Sequence, residues 1–181
     1  YQWQSSTDNA TFSNIGGETA VTYDVPNGLT ISTYYKRVVT STLNSNTCNA
    51  SSNNIAVTVN NVTAGSVGTD QTICSGGDPA AFTTTVASVG SGVLTYQWQS
   101  STDNANFSNI GGATASTYDA PIGLTATTYY RRIVTSTLNG IPCSATSNAI
   151  TITVNPIPTV NNVSNQTVCA ASTTSNIVFS G

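Results

Sequence analysis

The middle of the chain alternates hydrophobic and polar residues in short runs that are separated by turn-forming residues. The clearest run is VLTYQWQSS (93–101), where alternation places Tyr96 and Trp98 on one face and Gln97 and Gln99 on the other. Such alternation predicts β-strands. By the same pattern, further strands are predicted at 80–89, 107–110, 115–121, 127–137 and 143–156.

About seven short strands without a helical period are typical of an antiparallel β-sandwich of the immunoglobulin or fibronectin type. The Asn139–Gly140 pair predicts a tight hairpin between the last two strands. Trp98 falls on the third strand, where such sandwiches bury a central Trp. Leu124 precedes Tyr130 by six positions, which resembles a tyrosine corner. We therefore expect an all-β fold.

The pattern occurs twice. YQWQSSTDNATFSNIGG begins at Tyr1, and YQWQSSTDNANFSNIGG begins at Tyr96. An offset of 95 positions relates Trp3 to Trp98, and without a gap it aligns 1–60 with 96–155. This period is too long for a solenoid repeat of about 20–50 residues and matches one small sandwich of about 100 residues. The sequence predicts a tandem array.

The offset also sets the expected domain boundaries. Residues 1–60 correspond to the C-terminal part of a first repeat, and 61–155 form a complete second repeat. Residues 156–181 begin like the second repeat, with Gln166–Thr167 matching Gln71–Thr72, but differ elsewhere. They are expected to be the N-terminal part of a third, variant repeat. The linker between the second and third repeats, NPIPTVNNV, contains two prolines and favours a semi-rigid connection.

Alternation assigns aromatic residues to the core of each repeat rather than to a sugar-stacking surface. The expected core residues are Tyr96, Trp98, Leu124 and Tyr130, with their copies Tyr1, Trp3, Leu29 and Tyr35. This register creates a conflict, because an inward Tyr130 also directs Arg132 inward. Burial of an unpaired guanidinium is costly, so we expect either a bulge or a snorkelling Arg stacked on a Tyr ring.

The composition excludes several classes of protein. Charged residues are 6% of the chain, against about 25% in typical proteins, and there is no His. A net charge of -3 and few basic residues argue against nucleic-acid binding. No run of about 18 apolar residues is present, so no membrane span is expected in this segment. Without a His base or paired carboxylates outside the repeat pattern, we expect no catalytic residues and no enzymatic activity.

Four cysteines are spaced with the repeat and permit three pairings. Within the complete repeat, the expected disulfide joins Cys74 to Cys143, which would stabilise the fold by about 4 kcal/mol in the chain-entropy model. Cys48 and Cys169 would then have partners outside the fragment or in a neighbouring molecule. A disulfide indicates an oxidising, extracellular setting. The alternatives are a metal site or reactive thiols, which the spacing does not favour, and no metal site is expected.

Two sets of polar residues are candidates for binding. Gln97, Gln99, Ser100 and Ser101 could bind glycans, although a solvated sheet face is the simpler interpretation. Asp103 and Asp119, with copies Asp8 and Asp24, could contribute to a calcium site. Calcium requires about six to eight oxygen ligands and no Asp-x-Asp cluster is present, so this cofactor is weakly supported.

The residues YQWQSSTDN, TYYRRIVTSTLNG and CSATSNAITITVNPIPTV, together with the starts QTIC and QTVCA, resemble the immunoglobulin-like tandem repeats of giant Bacteroidetes cell-surface adhesins, including gliding-motility adhesins. This resemblance covers essentially the whole chain. It implies export by the type IX secretion system, a location at the bacterial cell surface and filament-like arrays. The neighbouring repeats of the same long chain would be its partners.

Two kinds of function remain. In one, the repeats are a stalk that projects a distal adhesive tip and supports surface adhesion or gliding motility. In the other, the repeats themselves bind extracellular glycans or surfaces, or one another. Strand exchange is a specific form of self-assembly, in which the third-repeat segment of one copy completes the first repeat of another.

Overall fold

Within residues 1–178, which the structure describes, the folded chain consists of β-strands joined by turns; the structure is a computed structural model. The first half of the chain contributes β1 (Gln2–Ser6), β2 (Ser13–Asn14), β3 (Thr33–Leu43), β4 (Asn46–Ser51), β5 (Ile55–Val57), β6 (Val62–Thr63), β7 (Ser66–Val67) and β8 (Gln71–Cys74). The second half contributes β9 (Thr84–Val86), β10 (Val89–Gly90), β11 (Val93–Ser101), β12 (Ser108–Asn109), β13 (Thr128–Leu138), β14 (Ile141–Thr146) and β15 (Ile150–Asn155). The all-β class is therefore confirmed.

The chain forms two compact units. The first contains Tyr1–Thr63, Ser88–Thr95 and Val134–Ala145. The second contains Ala64–Ala87, Tyr96–Ile133 and the described residues from Thr146 onward.

The first unit is built around β3. This strand pairs antiparallel with β1, with β4 and, at its start, with β5, and β2 extends the sheet beyond β1. A separate two-stranded ladder joins β6 to β10, with Thr63 opposite Val89. Tyr35 on β3 is 4% exposed and belongs to the core of the unit.

The second unit has its core beneath strands that pair in the order β12-β11-β13-β15-β8, of which it contains β12, β15, β8, residues 96–101 of β11 and residues 128–133 of β13. On the other side of this core, β7 pairs with β9, and Phe82 forms an isolated bridge with Tyr118. This two-layer arrangement is consistent with a β-sandwich. Its buried cluster consists of Val67, Phe82, Trp98, Ala120, Tyr130, Ile150 and Ile152.

One ladder of the sheet is parallel. β15 runs in the same direction as β8, with Ile152 opposite Gln71 and Asn155 opposite Cys74. Asp70 fixes this register, since its carboxylate accepts a hydrogen bond of 2.8 Å from the Thr151 amide. The early and late strands of the repeat are thus hydrogen-bonded neighbours, which the alternation pattern had not indicated.

The last predicted strand is divided in two. The amide of Ser147 donates to the carbonyl of Arg132, and the Arg132 amide donates to the Ser147 hydroxyl. The Asn148 side chain binds both the amide and the carbonyl of Val67 at 2.8 Å. These contacts turn residues 147–149 away from a continuous ladder, so that β14 and β15 are separate strands.

The residues expected in the core differ in how far they are buried. Trp98 is fully buried, Tyr130 is 3% exposed and Tyr35 is 4% exposed. Tyr96, Leu124, Trp3 and Leu29 are half-buried. The expectation for Tyr1 is wrong, because its ring is 51% exposed. Residues 64–87, which cover the core of the second repeat, have no counterpart among residues 1–60.

The third-repeat segment contains no strand in its described part, 156–178. It nevertheless repeats one local contact of the second repeat. Gln71 binds the amide and carbonyl of Ala80, and Gln166 binds those of Ser175 in the same way, with both distances at 3.0 Å. The sequence correspondence between these segments therefore extends to their local conformation.

Candidate functional site

Arg132 is the charged side chain that lies deepest in the second unit, with 0% exposure. It projects inward from β13, because burial alternates along the strand and Tyr130, Arg132 and Val134 are all buried. Its guanidinium lies 4.9 Å from the centre of the Tyr96 ring and 5.8 Å from that of Trp98. The stacking on Tyr96 is as expected, but the expectation that the side chain snorkels to solvent is wrong, because Arg132 is fully buried. The negative faces of the two rings favour the cation.

Hydrogen bonds from Arg132 complete the arrangement. One terminal nitrogen donates to the Thr84 hydroxyl at 2.9 Å and to the Ser116 carbonyl, and the other donates to the Ala64 carbonyl at 3.1 Å. Desolvation lowers the pKa of Arg132 from its ordinary value, while the charge interaction with Tyr96 acts in the opposite direction. The guanidinium joins β13 to segments 64–87 and 115–117, which is a structural role.

Arg37 makes the corresponding contacts in the first unit. Its guanidinium lies 4.7 Å from the Tyr1 ring and 5.9 Å from Trp3, and it donates to the Val21 carbonyl at 2.6 Å. Here the site is half-exposed and opens to a groove of about 350 Å³. The groove is lined by Trp3, Val21, Tyr23, Arg37, Asn53 and Ile55, among others. The cation–ring contact is therefore local and does not depend on the covering strands.

The Gln side chains of the candidate glycan-binding face make hydrogen bonds within the repeat. Gln97 donates from its amide to the carbonyls of Trp98 and Ile110, both at 2.8 Å. Gln99 was expected on the solvated face, but it is 8% exposed, donates to Asn109 and accepts from Arg131. Gln99 therefore lies between side chains of the two flanking strands, Asn109 of β12 and Arg131 of β13, and the Arg131 guanidinium lies 3.9 Å from the Phe107 ring.

Asp103 holds a loop together. One of its oxygens accepts hydrogen bonds from the Ser101 hydroxyl and from the amides of Ala105 and Asn106, and the other accepts from the Asn106 side chain. These donors lower the pKa of Asp103 well below its ordinary range. Asp8 in the first repeat has the same contacts with Ser6, Ala10 and Thr11, and the same depressed pKa.

This geometry leaves few carboxylate oxygens available to bind calcium. The loop donors already bond to both oxygens of Asp103 and to one oxygen of Asp8, and Asp119 and Asp24 lie outside the two loops. No group of three or more His, Cys, Asp or Glu side chains among the described residues could hold a metal ion.

The four cysteines are free thiols in the described chain, so the expected Cys74–Cys143 disulfide is not formed in this structure. The two residues lie on different strand pairs. Cys74 ends β8 opposite Asn155 of β15, whereas Cys143 lies in β14, which pairs with β13. Cys48 and Cys169 are exposed. Their expected partners, outside the fragment or in a neighbour, stay a prediction.

A contact that the sequence analysis missed lies where the first repeat ends. The Asn60 amide donates to the carbonyls of Ser136 at 2.7 Å and Ile141 at 2.8 Å, and its oxygen accepts from the Ser136 hydroxyl at 2.7 Å. All these residues belong to the first compact unit. The signal that could have revealed the contact is strict identity between the copies: TVN at 58–60 and 153–155, and VTSTLN at 39–44 and 134–139.

Fold and side-chain roles together define a tandem all-β repeat protein. The chain belongs to the family described as a domain of unknown function, DUF8696, whose model matches residues 1–61 and again residues 63–156. No match was found among curated proteins. Across residues 1–178, the structure contains no helix long and apolar enough to cross a membrane.

Proposed function

We propose that this segment is part of the stalk of a large secreted adhesin at the bacterial cell surface, where it supports surface adhesion or gliding motility. The observation that carries the proposal is that the side chains suited to binding are used in contacts within each repeat. Arg132 and Asp103 hold the second repeat together, and Arg37 and Asp8 make the corresponding contacts in the first.

The surface chemistry supports the same role. The exposed residues are largely Ser, Thr, Asn and Gly, and few charges are present in the sequence. A repeat that displays hydroxyls and amides is hydrated without a strong electrostatic field, which suits a spacer between a cell and a distal binding domain. The proposal includes export by the type IX secretion system, as the sequence resemblance implies, and no enzymatic activity.

Glycan binding by the repeats is the second candidate function. The groove beside Arg37 favours it, because it presents the half-buried Trp3 ring, a guanidinium and several hydroxyl and amide groups. In the complete repeat the equivalent Trp98 has no exposed surface. Glycan binding would therefore be confined to a repeat whose ring is uncovered, and the stalk is the better-supported function.

Two measurements on the purified 181-residue segment and on the cells that produce it test the proposal. An antibody against the segment should label intact cells, and the segment alone should show no saturable binding on a glycan array. Labelling that requires permeabilised cells would contradict the surface location. Saturable glycan binding that is lost in a Trp3→Ala variant would favour the second function, and a concentration-dependent oligomer in solution would favour self-assembly.

A further inference from the structure

We propose that the TVN end of each repeat docks onto the VTSTLN strand of the next repeat, and that the Asn side chain of TVN couples the two. In this chain the coupling residue is Asn60, and its receptor is the β13–β14 hairpin. The inference goes beyond the stalk function, and it holds for the array whether or not the parent protein is an adhesin.

Asn60 is well suited to this role because its amide makes three hydrogen bonds to the hairpin. Two donor bonds reach the carbonyls of Ser136 and Ile141, and one acceptor bond comes from the Ser136 hydroxyl. Side-chain amides supply two donors and one acceptor group, so the geometry uses both ends of the Asn side chain. Residues Ala56 and Thr58 also line a groove of about 320 Å³ with Leu138 and Ile141 of the hairpin.

Asn61 adds contacts on both sides of the repeat boundary. Its side chain donates to the Thr30 carbonyl of the first repeat at 3.2 Å. The Ser91 amide of the second repeat donates to the Asn61 carbonyl at 2.9 Å, and the Asn61 amide donates to the Ser91 hydroxyl at 3.1 Å. At the boundary, Asn61 is therefore hydrogen-bonded to both repeats.

The two copies of VTSTLN differ in burial. Val134 and Ser136 have 0% exposure, whereas Val39 is 37% exposed and Ser41 is exposed. The local sequence is identical, so the difference comes from the surroundings. The second copy is contacted by Asn60 from the preceding repeat and by segment 88–92, which contains β10, from the same repeat.

Segment 88–92 approaches β13 through two glycines. A Cβ added to Gly92 would lie 2.2 Å from the Thr137 carbonyl oxygen, and one added to Gly90 would lie 2.9 Å from the Ser136 Cβ. The Gly92 amide donates to the Ser136 hydroxyl at 2.9 Å, and that hydroxyl donates onward to Asn60. Ser136 therefore links this segment of its own repeat to the Asn of the previous one.

Asn155 is the matching residue at the end of the second repeat. It follows the same Thr-Val pair, its side chain is exposed, and the structure gives it no hydrogen bond to another side chain among the described residues. By the same rule, Asn155 would dock onto the hairpin of a following repeat. In the 181-residue chain it is a matched control for Asn60.

The experiment is amide hydrogen exchange, followed by NMR, in the full chain and in Asn60→Asp and Asn155→Asp variants. Asp has the shape of Asn but cannot donate, so Asn60→Asp removes two hydrogen bonds and places a carboxylate beside two carbonyls. Exchange at Ser91, Gly92 and the β13–β14 hairpin should become about tenfold faster or more in Asn60→Asp. It should remain within about twofold of the parent in Asn155→Asp, which introduces the same charge.

The Trp98 amide, bonded to the Ala113 carbonyl at 2.9 Å, reports whether the second unit is still folded. An Asn60→Ala variant provides a second route, because it removes the contacts without adding charge. Unchanged exchange at Ser91 and Gly92 in both Asn60 variants would overturn the proposal. Equal acceleration in Asn155→Asp would also overturn it, since the effect would then not depend on docking.

Discussion

The guanidinium of Arg132 stacks on the ring of Tyr96 at 4.9 Å, and Arg37 stacks on Tyr1 at 4.7 Å in the other copy of the sequence. The two pairs have nearly the same separation although Arg132 is fully buried and Arg37 is half-exposed. The Arg–Tyr contact therefore forms between neighbouring chain segments of one sheet and does not require a covering segment. The cover changes the energetic importance of the contact but not its geometry.

The Arg132→Lys substitution should destabilise the chain by about 2–4 kcal/mol, because Lys lacks the planar fork that reaches Thr84, Ser116 and Ala64 together. Urea unfolding followed by Trp fluorescence would measure the loss. Arg37→Lys is the matched control, and its effect should be below about 1 kcal/mol because that site is open to solvent. Equal losses in the two variants would show that burial does not matter here.

Substitution of one turn residue should stabilise the first hairpin and destabilise the second. Both central positions have positive φ: 49° and 79° at Asn139 and Gly140, and 48° and 68° at Asn44 and Ser45. Ser is strained there and Gly is not. Ser45→Gly should stabilise the first hairpin by about 0.5–1 kcal/mol, and Gly140→Ser should destabilise the second by a similar amount. Thermal unfolding of the two variants checks the signs, and a shift in the same direction for both would refute the strain argument.

Acid should weaken the loops that Asp8 and Asp103 organise. The loop donors hold both pKa values far below the ordinary value, so the folded chain binds fewer protons than the unfolded chain. This contribution is complete above the unfolded pKa of about 3.9 and is lost as the pH falls toward the folded pKa. The melting temperature should decline below about pH 4.

The control is a chain with both Asp8→Asn and Asp103→Asn. Asn at these positions does not titrate, so its melting temperature should depend less on pH between about 4 and 2 than that of the parent. Parallel curves for the two chains would assign the acid sensitivity to other carboxyls.

Thiol labelling should distinguish the cysteines by exposure. Cys48, Cys74 and Cys169 are exposed and should react quickly with a maleimide, while the half-buried Cys143 should react more slowly. Intact-mass measurement of the native chain should therefore show three early adducts and one late adduct. After denaturation without reductant, all four should be labelled. A chain that then carries only two adducts would contain the disulfide that the sequence spacing suggested.

Alternation and turn residues predicted much of the fold. β11 spans Val93–Ser101 as predicted, and β13 lies within one residue of its expected bounds. Asn139 and Gly140 form the expected turn. These features depend on neighbouring residues, and the relevant forces act within a strand or a hairpin.

The expectations that failed depend on distant segments. The strand expected at 115–121 is reduced to one bridge between Tyr118 and Phe82. Gln99 is 8% exposed because it bonds to Asn109 and Arg131 on the two flanking strands, and Tyr1 is 51% exposed although alternation assigned it to the core. The Asn60 contact joins positions 76 residues apart. Periodicity within a strand carries no information about such distant partners. The identity of the TVN and VTSTLN sequences between the copies is the one sequence signal for the Asn60 contact.

The parallel ladder between β8 and β15 has a mechanical consequence. Its four residue pairs join the early and late strands of the repeat, and the two strands point in the same direction. Tension applied through the neighbouring repeats would draw β8 and β15 in opposite directions along their length. All rungs of the ladder would then be sheared together rather than peeled apart one by one. The first structural event when such a repeat is stretched would be the concerted rupture of this ladder.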